Sequence, residues 1–320
     1  MQAFNSELFL TTSEAAELLD VHPSTVKRWT DAGELESDKT DGGHRRIYLR
    51  EVLEFANGRG VQTYLAPFTP FESHVWLAVQ DAIRHDDYSR TVSLAMGWLI
   101  RGYPRRISAL FHDLGSRESL AFARVCDGGI QPFMEEVGMA WREGRLRIGE
   151  EHIASQAVLE ALVRLSDDAW AGIAPGEDLP VSRPTAVVGS MEGNRHHIGA
   201  MCVRILLERA GWTVHYLGAD TPPEEFAAIQ RARGAELVCV SFSPPTSIGH
   251  MRRCLDVLRE FYRPASPFDL VFGGAASSGL DDGTDLPFRT FMTFPSAVSF
   301  IEWVERREER GSSMTGVRSA

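Results

Sequence analysis

Between residues 185 and 305 the chain alternates short apolar segments with amphipathic ones, and few folds accept that pattern. TAVVGSM, TVHYLG, ELVCVSFS, DLVFGG and TFMTF are apolar along almost their whole length. A strand with one wet face would instead alternate apolar and polar residues. IGAMCVRILLERAG, PPEEFAAIQRARG and TSIGHMRRCLDVLREF read as helices between strands, and PSAVSFIEWVERR follows the last strand. Apolar strands joined by helices imply a parallel sheet covered on both faces, with ligands held at the carboxyl ends of the strands.

The loop leaving the first strand, EGNRHH, carries His196 and His197 at the point where strand gives way to helix, and Gly199 opens that helix. A histidine there can ligate a metal through one ring nitrogen while the other meets a supporting partner, and Asn194 stands two residues earlier. The spacing is no phosphate fingerprint, since G-x-G-x-x-G and the Walker lysine are both missing. Two solvent-exposed loop histidines are the plainer alternative. Against it, Ser241 after the third strand and Gly273-Gly274 after the fourth fall at the same end of the sheet.

A length of 320 residues points to two or three domains. Gly- and Pro-rich stretches at 57–70 and 171–184 read as linkers. They divide the chain into 1–56, a helical 71–170 and 185–305, with 306–320 as a flexible polar tail. The formal charge of −11, from 33 basic and 44 acidic side chains, excludes a general polyanion binder, so nucleic-acid contact requires a local basic patch. No apolar run approaches the ~20 residues that span a bilayer. The first residues lack a signal-peptide core, and Cys126, Cys202, Cys239 and Cys254 form no close pair. These features predict a cytoplasmic protein without a membrane segment, disulfide framework or thiolate metal site.

The patch lies near the start. In LTTSEAAELLDVHPSTVKRWTDAG, Thr12 or Ser13 is placed to cap one helix and Pro23-Ser24 to open a second. Ala15, Leu18 and Leu19 form one apolar face, Val26 and Trp29 another. The second helix then offers Ser24, Thr25, Lys27 and Arg28 to base edges and phosphates in a major groove. DGGHRRIYLREVLEF follows as a hairpin bearing His44, Arg45, Arg46 and Tyr48, a wing suited to phosphates. Residues 1–56 hold six Lys/Arg and eleven Asp/Glu, a net of −5, so it is the clustering of the basic groups that favours DNA over a merely solvated face.

TTSEAAELLDVHPSTVKRWTDAGEL with GGHRRIYLREVLEF resembles the winged helix-turn-helix of the MerR family, whose members bind double-stranded DNA as dimers. The 185–305 segment is similar to the cobalamin-binding domain of methionine synthase and the mutases, which shows Asp-x-His-x-x-Gly, Ser-x-Leu and Gly-Gly. That resemblance implies a flavodoxin-like, Rossmann-type fold. It also implies His196 as axial ligand to cobalt, room at Gly199, and a nucleotide-tail channel lined by Ser241, Gly273 and Gly274. This chain departs from the pattern in having Asn194 where a carboxylate is usual, and Ser243 in place of Leu. An amide oxygen can still accept the imidazole N–H, without charge.

Residues 71–170 read as about four amphipathic helices, a four-helix bundle, with the third broken near Gly128-Gly129 and with Trp76 and Trp98 in its core. WREGRLRIGEEH places Trp141 ten residues before Glu151 and eleven before His152. With the two flanking resemblances, this Trp-x9-Glu-His resembles the CarH/LitR-type regulators, which are adenosylcobalamin-dependent photoreceptors. That resemblance implies an upper-face pocket at Trp141, Ile148, Glu151 and His152. It implies a homo-oligomer, dimer or tetramer, that binds promoter DNA in the dark and comes apart when light cleaves the Co–C bond. It implies a repressor and no enzyme. In the family a His follows the Trp; here Arg142 stands there and cannot ligate cobalt. A DNA-binding regulator that senses cobalamin, a bilin or another tetrapyrrole without this photochemistry is the alternative, and such a module can also house a bilin as second chromophore.

Overall fold

A computed structural model describes residues 8–39, 42–171, 183–243, 246–274, 277, 280 and 286–316. Most of the 171–184 linker therefore lies outside the described residues. The chain divides into two compact units, Met1–Leu94 and Ala95–Ala320.

The first unit opens with strand β1 (Phe9–Leu10), helix α1 (Thr12–Leu18) and helix α2 (Pro23–Asp31). The cap of α1 is Thr11, one residue earlier than expected. Its hydroxyl accepts the Glu14 N–H at 3.2 Å, while the Glu14 carboxylate accepts the Thr11 N–H at 2.6 Å. The reciprocal pair satisfies two otherwise orphaned donors, which is why the helix starts there. Pro23 takes the first position of α2 as expected, and His22 caps it, its Nδ1 accepting the Ser24 N–H at 3.2 Å. Ala15, Leu18, Leu19 and Val26 are buried, as their spacing predicts.

Strands β2 (Asp38–Lys39) and β3 (Arg45–Tyr48) form the antiparallel wing, with Asp38 opposite Arg46 and Lys39 opposite Arg45. Helix α3 (Leu49–Gly58) follows. The stretch 57–70 is more than a spacer: it ends α3, makes a 3₁₀ turn at Ala66–Phe68, and buries Leu65 and Phe68. Helix α4 (Glu72–His85) joins this unit through an ion pair from Arg84 to Glu14 of α1. Helix α5 (Ser89–Ile100) contains the boundary between units.

The second unit continues with α6 (Pro104–Ser116), the short α7 (Phe122–Arg124), a π-helical turn at Val125–Ile130, α8 (Gln131–Arg142) and α9 (Ile148–Ala171). The expected break at Gly128-Gly129 is this wide turn, and the helix resumes without interruption. Trp76 and Trp98 are buried, as expected.

Strands β4 (Thr185–Met191), β5 (Thr213–Thr221), β6 (Leu237–Ser241), β7 (Asp269–Gly273) and β8 (Thr290–Phe294) form one parallel sheet in the order β5-β4-β6-β7-β8. Helices α10 (Ile198–Arg209), α11 (Pro223–Arg233), α12 (Ile248–Phe261) and α13 (Ala297–Gly316) accompany it. This is the doubly wound topology, with its switch point between β4 and β6. β6 is buried at every residue and β4 at all but its first, which accounts for their unbroken apolar sequence. Helix α13 runs to Gly316, past the point where the sequence placed a tail, and residues 317–320 lie outside the described residues. Among the described residues no helix is long and apolar enough to cross a membrane.

Helices α9 and α10 pack together within the second unit. Ser166 donates to Glu208 at 3.0 Å, and Arg209 donates to the Gly115 carbonyl at 2.9 Å while covering the Phe122 ring.

Candidate functional site

A cleft of about 340 Å³ opens at the carboxyl end of the sheet, where β4 and β6 part. Asn194, His196, Phe242, Ser243, Thr246 and His250 are among its lining residues. Parallel registration sets Ser190 beside Ser241 and Ser241 beside Gly273, so three neighbouring strands end at one level.

The loop that carries His196 is fastened from both sides. β5 extends to Thr221, longer than the TVHYLG segment suggests, because Gly218 and Asp220 adopt positive φ of 80° and 55° and curve its end. The bent end returns Asp220 Oδ1 to the Gly193 N–H at 2.7 Å and the Thr221 carbonyl to the Glu192 N–H at 2.8 Å. Asp220 was missed in the sequence. Its one signal is that Asp tolerates the left-handed region better than most residues. From the other side, Ser190 Oγ donates to the His196 carbonyl at 3.1 Å.

Asn194 is buried and does something other than expected. Its Oδ1 accepts the backbone N–H of His196 at 3.0 Å, and its Nδ2 donates to the Ser241 carbonyl at 3.5 Å. It shapes the loop and does not support the imidazole. A side-chain oxygen two residues before a backbone N–H closes this local turn readily. His196 is exposed, and among the described residues its ring makes no hydrogen bond or ion pair. His197 occupies the N-cap of α10, its Nδ1 3.3 Å from the Arg195 carbonyl.

The glycines mark how closely backbone approaches backbone here. A Cβ on Gly199 would lie 3.1 Å from Ser241 Oγ. One on Gly274, whose φ is +103°, would lie 2.1 Å from the Phe242 carbonyl oxygen, so no other residue fits. Asn194, His196, Gly199, Ser241, Gly273 and Gly274 thus come together at one sheet end.

The second group lies on α8 and α9. Trp141 is 46% exposed and Ile148 58% exposed, large apolar surfaces left open to solvent. The Glu151 carboxylate is held by Ser155 Oγ at 2.8 Å and His152 Nδ1 at 2.6 Å. Among the described residues, no hydrogen bond, ion pair or ring contact joins Trp141, Ile148, Glu151 or His152 to the cleft residues.

In the helix-turn-helix unit, Ser24, Lys27 and Arg28 are exposed on α2 and Thr25 is half-buried. Ser24 Oγ also bonds His22 Nδ1 at 2.8 Å. On the wing, His44 and Arg46 are exposed, and Arg46 lies over the Phe9 ring at 5.4 Å. Tyr48 stacks with Phe9 at 4.3 Å. Arg45 is committed to an ion pair with Asp31 at the end of α2, so it braces the wing against the helix.

A doubly wound α/β domain with a polar cleft at its switch point shares the chain with a winged helix-turn-helix. Comparison with known proteins agrees. Residues 9–60 match a helix-turn-helix domain family, residues 184–283 a B12 binding domain family, and residues 98–166 a second family described as a B12 binding domain. The HTH-type transcriptional repressor CarA of Myxococcus xanthus is 31% identical over 155 residues, 47% of this chain and 46% of CarA. Corrinoid protein DSY3155 of Desulfitobacterium hafniense is 29% identical over 50% of this chain and 73% of its own length. The solved monomethylamine corrinoid protein of Methanosarcina barkeri is 20% identical, with a TM-score of 0.44 over 71% of this chain and 94% of that one. The match thus spans just under half of CarA. The chain thus carries one match to a helix-turn-helix domain family and two to B12 binding domain families.

Proposed function

We propose that the protein is a light-responsive transcription regulator, a repressor, that holds adenosylcobalamin at the β4–β6 cleft and double-stranded DNA at α2 and the wing, working as a homo-oligomer in the cytoplasm. One observation carries the reading: a helix-turn-helix that leaves Lys27 and Arg28 exposed shares a chain with a sheet-end cleft lined by the His196 imidazole, which makes no hydrogen bond or ion pair among the described residues. The residues present suit a corrinoid. Nitrogen is a good ligand for cobalt, and the cleft beside His196 is open at the sheet end. A cleft of this size takes one end of a large ligand, not the whole of it.

When bound, adenosylcobalamin supplies a cobalt–carbon bond that visible light breaks. The chain's own groups do the rest. His196 would hold the cobalt through a ring nitrogen. Ser241, Gly273 and Gly274 line the nucleotide-tail channel, and Asn194 fixes the loop. Trp141 and Ile148 would offer apolar surface to the adenosyl group, and Glu151, held by Ser155 and His152, would meet its polar groups. Ser24, Thr25, Lys27, Arg28, His44, Arg46 and Tyr48 contact DNA, with Arg45 bracing the wing. We assign no catalytic role, although several relatives are named corrinoid proteins. Light acts by removing the contact that distinguishes the DNA-binding assembly from its dissociated form.

Arg142 favours a second reading. A guanidinium keeps its proton and has no lone pair to give cobalt, so the light state cannot be closed by this residue. The chain would then sense cobalamin, a bilin or another tetrapyrrole without light. Absorption spectra of the full chain with adenosylcobalamin, dark and then lit, with size-exclusion on the same samples, separate the readings. A spectral change with a shift in elution supports the first. Unchanged elution under light supports the second, and no bound corrinoid spectrum overturns the cofactor assignment.

A further inference from the structure

The chain as a whole is acidic, with a formal charge of −11, yet the rim of the sheet-end cleft gathers cationic groups. Arg195 lines it from the loop after β4, and His250 from the first turn of α12. Arg253 follows on α12, exposed like Arg195. It turns back along its helix: a Cβ on Gly249 would lie 3.9 Å from Arg253 Nη1 and 3.9 Å from Ser247 Oγ, so the guanidinium lies beside the first turn. The His250 ring reaches across the cleft to the β4 side, where a Cβ on Gly193 would lie 3.4 Å from its Cε1. Glu192 is the one carboxylate among the described lining residues.

These groups are not spent on the protein. Among the described residues the side chains of Arg195, His250 and Arg253 make no hydrogen bond or ion pair. Arg204, Arg289 and Arg307 of the same domain each pair with a carboxylate. Ser247, also in the lining, accepts the His250 N–H on its Oγ at 3.2 Å and keeps its own proton to donate. Two guanidinium forks, an imidazole N–H and a hydroxyl therefore offer donors at one rim. Guanidinium groups match the paired oxygens of a phosphate, and their charge strengthens each hydrogen bond. A corrin ring carries neutral amide arms. The fixed anion of a complete cobalamin is the phosphodiester in its nucleotide tail.

We infer that Arg195, His250 and Arg253 form an anion subsite on the cleft rim for the tail phosphodiester, by which the chain selects corrinoids with a complete nucleotide tail over those without one. The inference rests on the proposed corrinoid at this cleft and adds which part of that ligand these residues read. Both arginines are exposed, so salt screens their contribution and sets its size at the scale of a charged hydrogen bond rather than of a buried ion pair.

Equilibrium titration of the full-length protein with two corrinoids tests it: hydroxocobalamin, and aquacobinamide, which keeps the ring and cobalt and lacks the phosphodiester and base. Each variant is compared with wild type on the same ligand. Arg195→Ala combined with Arg253→Ala should weaken hydroxocobalamin binding ~10-fold or more and should not weaken cobinamide binding. His250→Ala should lower the same preference, and His250→Gln, which keeps an N–H donor, should restore part of it. If the His250 variants fail to fold, the double arginine variant decides, because both its sites are exposed. Equal losses for the two corrinoids, or no loss for either, overturn the subsite and leave the cofactor reading in place. Tight binding of AMP to the cofactor-free protein that leaves hydroxocobalamin affinity unchanged would assign the anion to a separate nucleotide and overturn it as well. Failure of wild type to bind either corrinoid overturns the cofactor reading, and this inference with it.

Discussion

In the loop after β4, Asn194 is consumed by backbone partners, so the His196 ring is placed through its own main chain. A ligating imidazole usually leans on an acceptor for its second nitrogen, and here no described side chain fills that place. His196→Ala should lower cobalamin affinity by ~10-fold or more and remove the nitrogen-ligated cobalt spectrum; an unchanged spectrum would end its assignment as axial ligand. Gly274 and Gly273 give a sharper contrast. Gly274→Ala forces a Cβ to within 2.1 Å of a backbone oxygen at a positive φ, whereas on Gly273 the nearest such atom is 3.9 Å away. We expect Gly274→Ala to cost ~2 kcal/mol or more and Gly273→Ala under ~1 kcal/mol, as read by chemical denaturation. Equal costs would mean that the sheet end is not closely packed.

Among the elements, the amino end of the sheet, opposite the cleft, is pinned by one buried carboxylate. Asp269, at the start of β7, is paired with Arg289 and with Arg307, whose Nε lies at 2.8 Å. Burial alone would raise its pKa, but the hydrogen bonds from the two guanidinium groups outweigh burial and hold it below the usual value of 3.8. A depressed folded pKa means stability that is present above the ordinary carboxylate range and lost as pH falls through the folded value. Asp269→Asn should cost about 3 kcal/mol at neutral pH and flatten the fall of Tm below pH ~4; an unaltered acid limb would place that sensitivity elsewhere. For α2, Lys27→Ala and Arg28→Ala should each weaken DNA binding across sequences and reduce the slope of log K against log salt by about 1. An unchanged slope would remove that residue from the phosphate contacts.

At the scale of the molecule, the parts legible in the sequence were those set by periodicity. The five-stranded sheet, the helix-turn-helix and the sheet-end cluster follow from apolar runs and from glycines at strand ends, because burial on both faces writes itself into composition. The rest depends on contacts remote in sequence. The return of Asp220 to Gly193, the Asn194 hydrogen bonds and the Asp127 carboxylate that accepts the first N–H groups of α13 are contacts between residues whose identity fits many roles. The π turn combines Gly-Gly with a proline, a pattern that reads as a break because local signals do not say whether a helix resumes in register. The account's central claim is that one chain couples a corrinoid at the sheet end to DNA at α2. The most direct test is the affinity of the full-length protein for a DNA fragment carrying its own upstream region, measured without cofactor, with adenosylcobalamin in the dark, and after illumination. Tight binding only in the dark, cofactor-loaded sample is the predicted result. Equal affinity in all three would contradict the coupling.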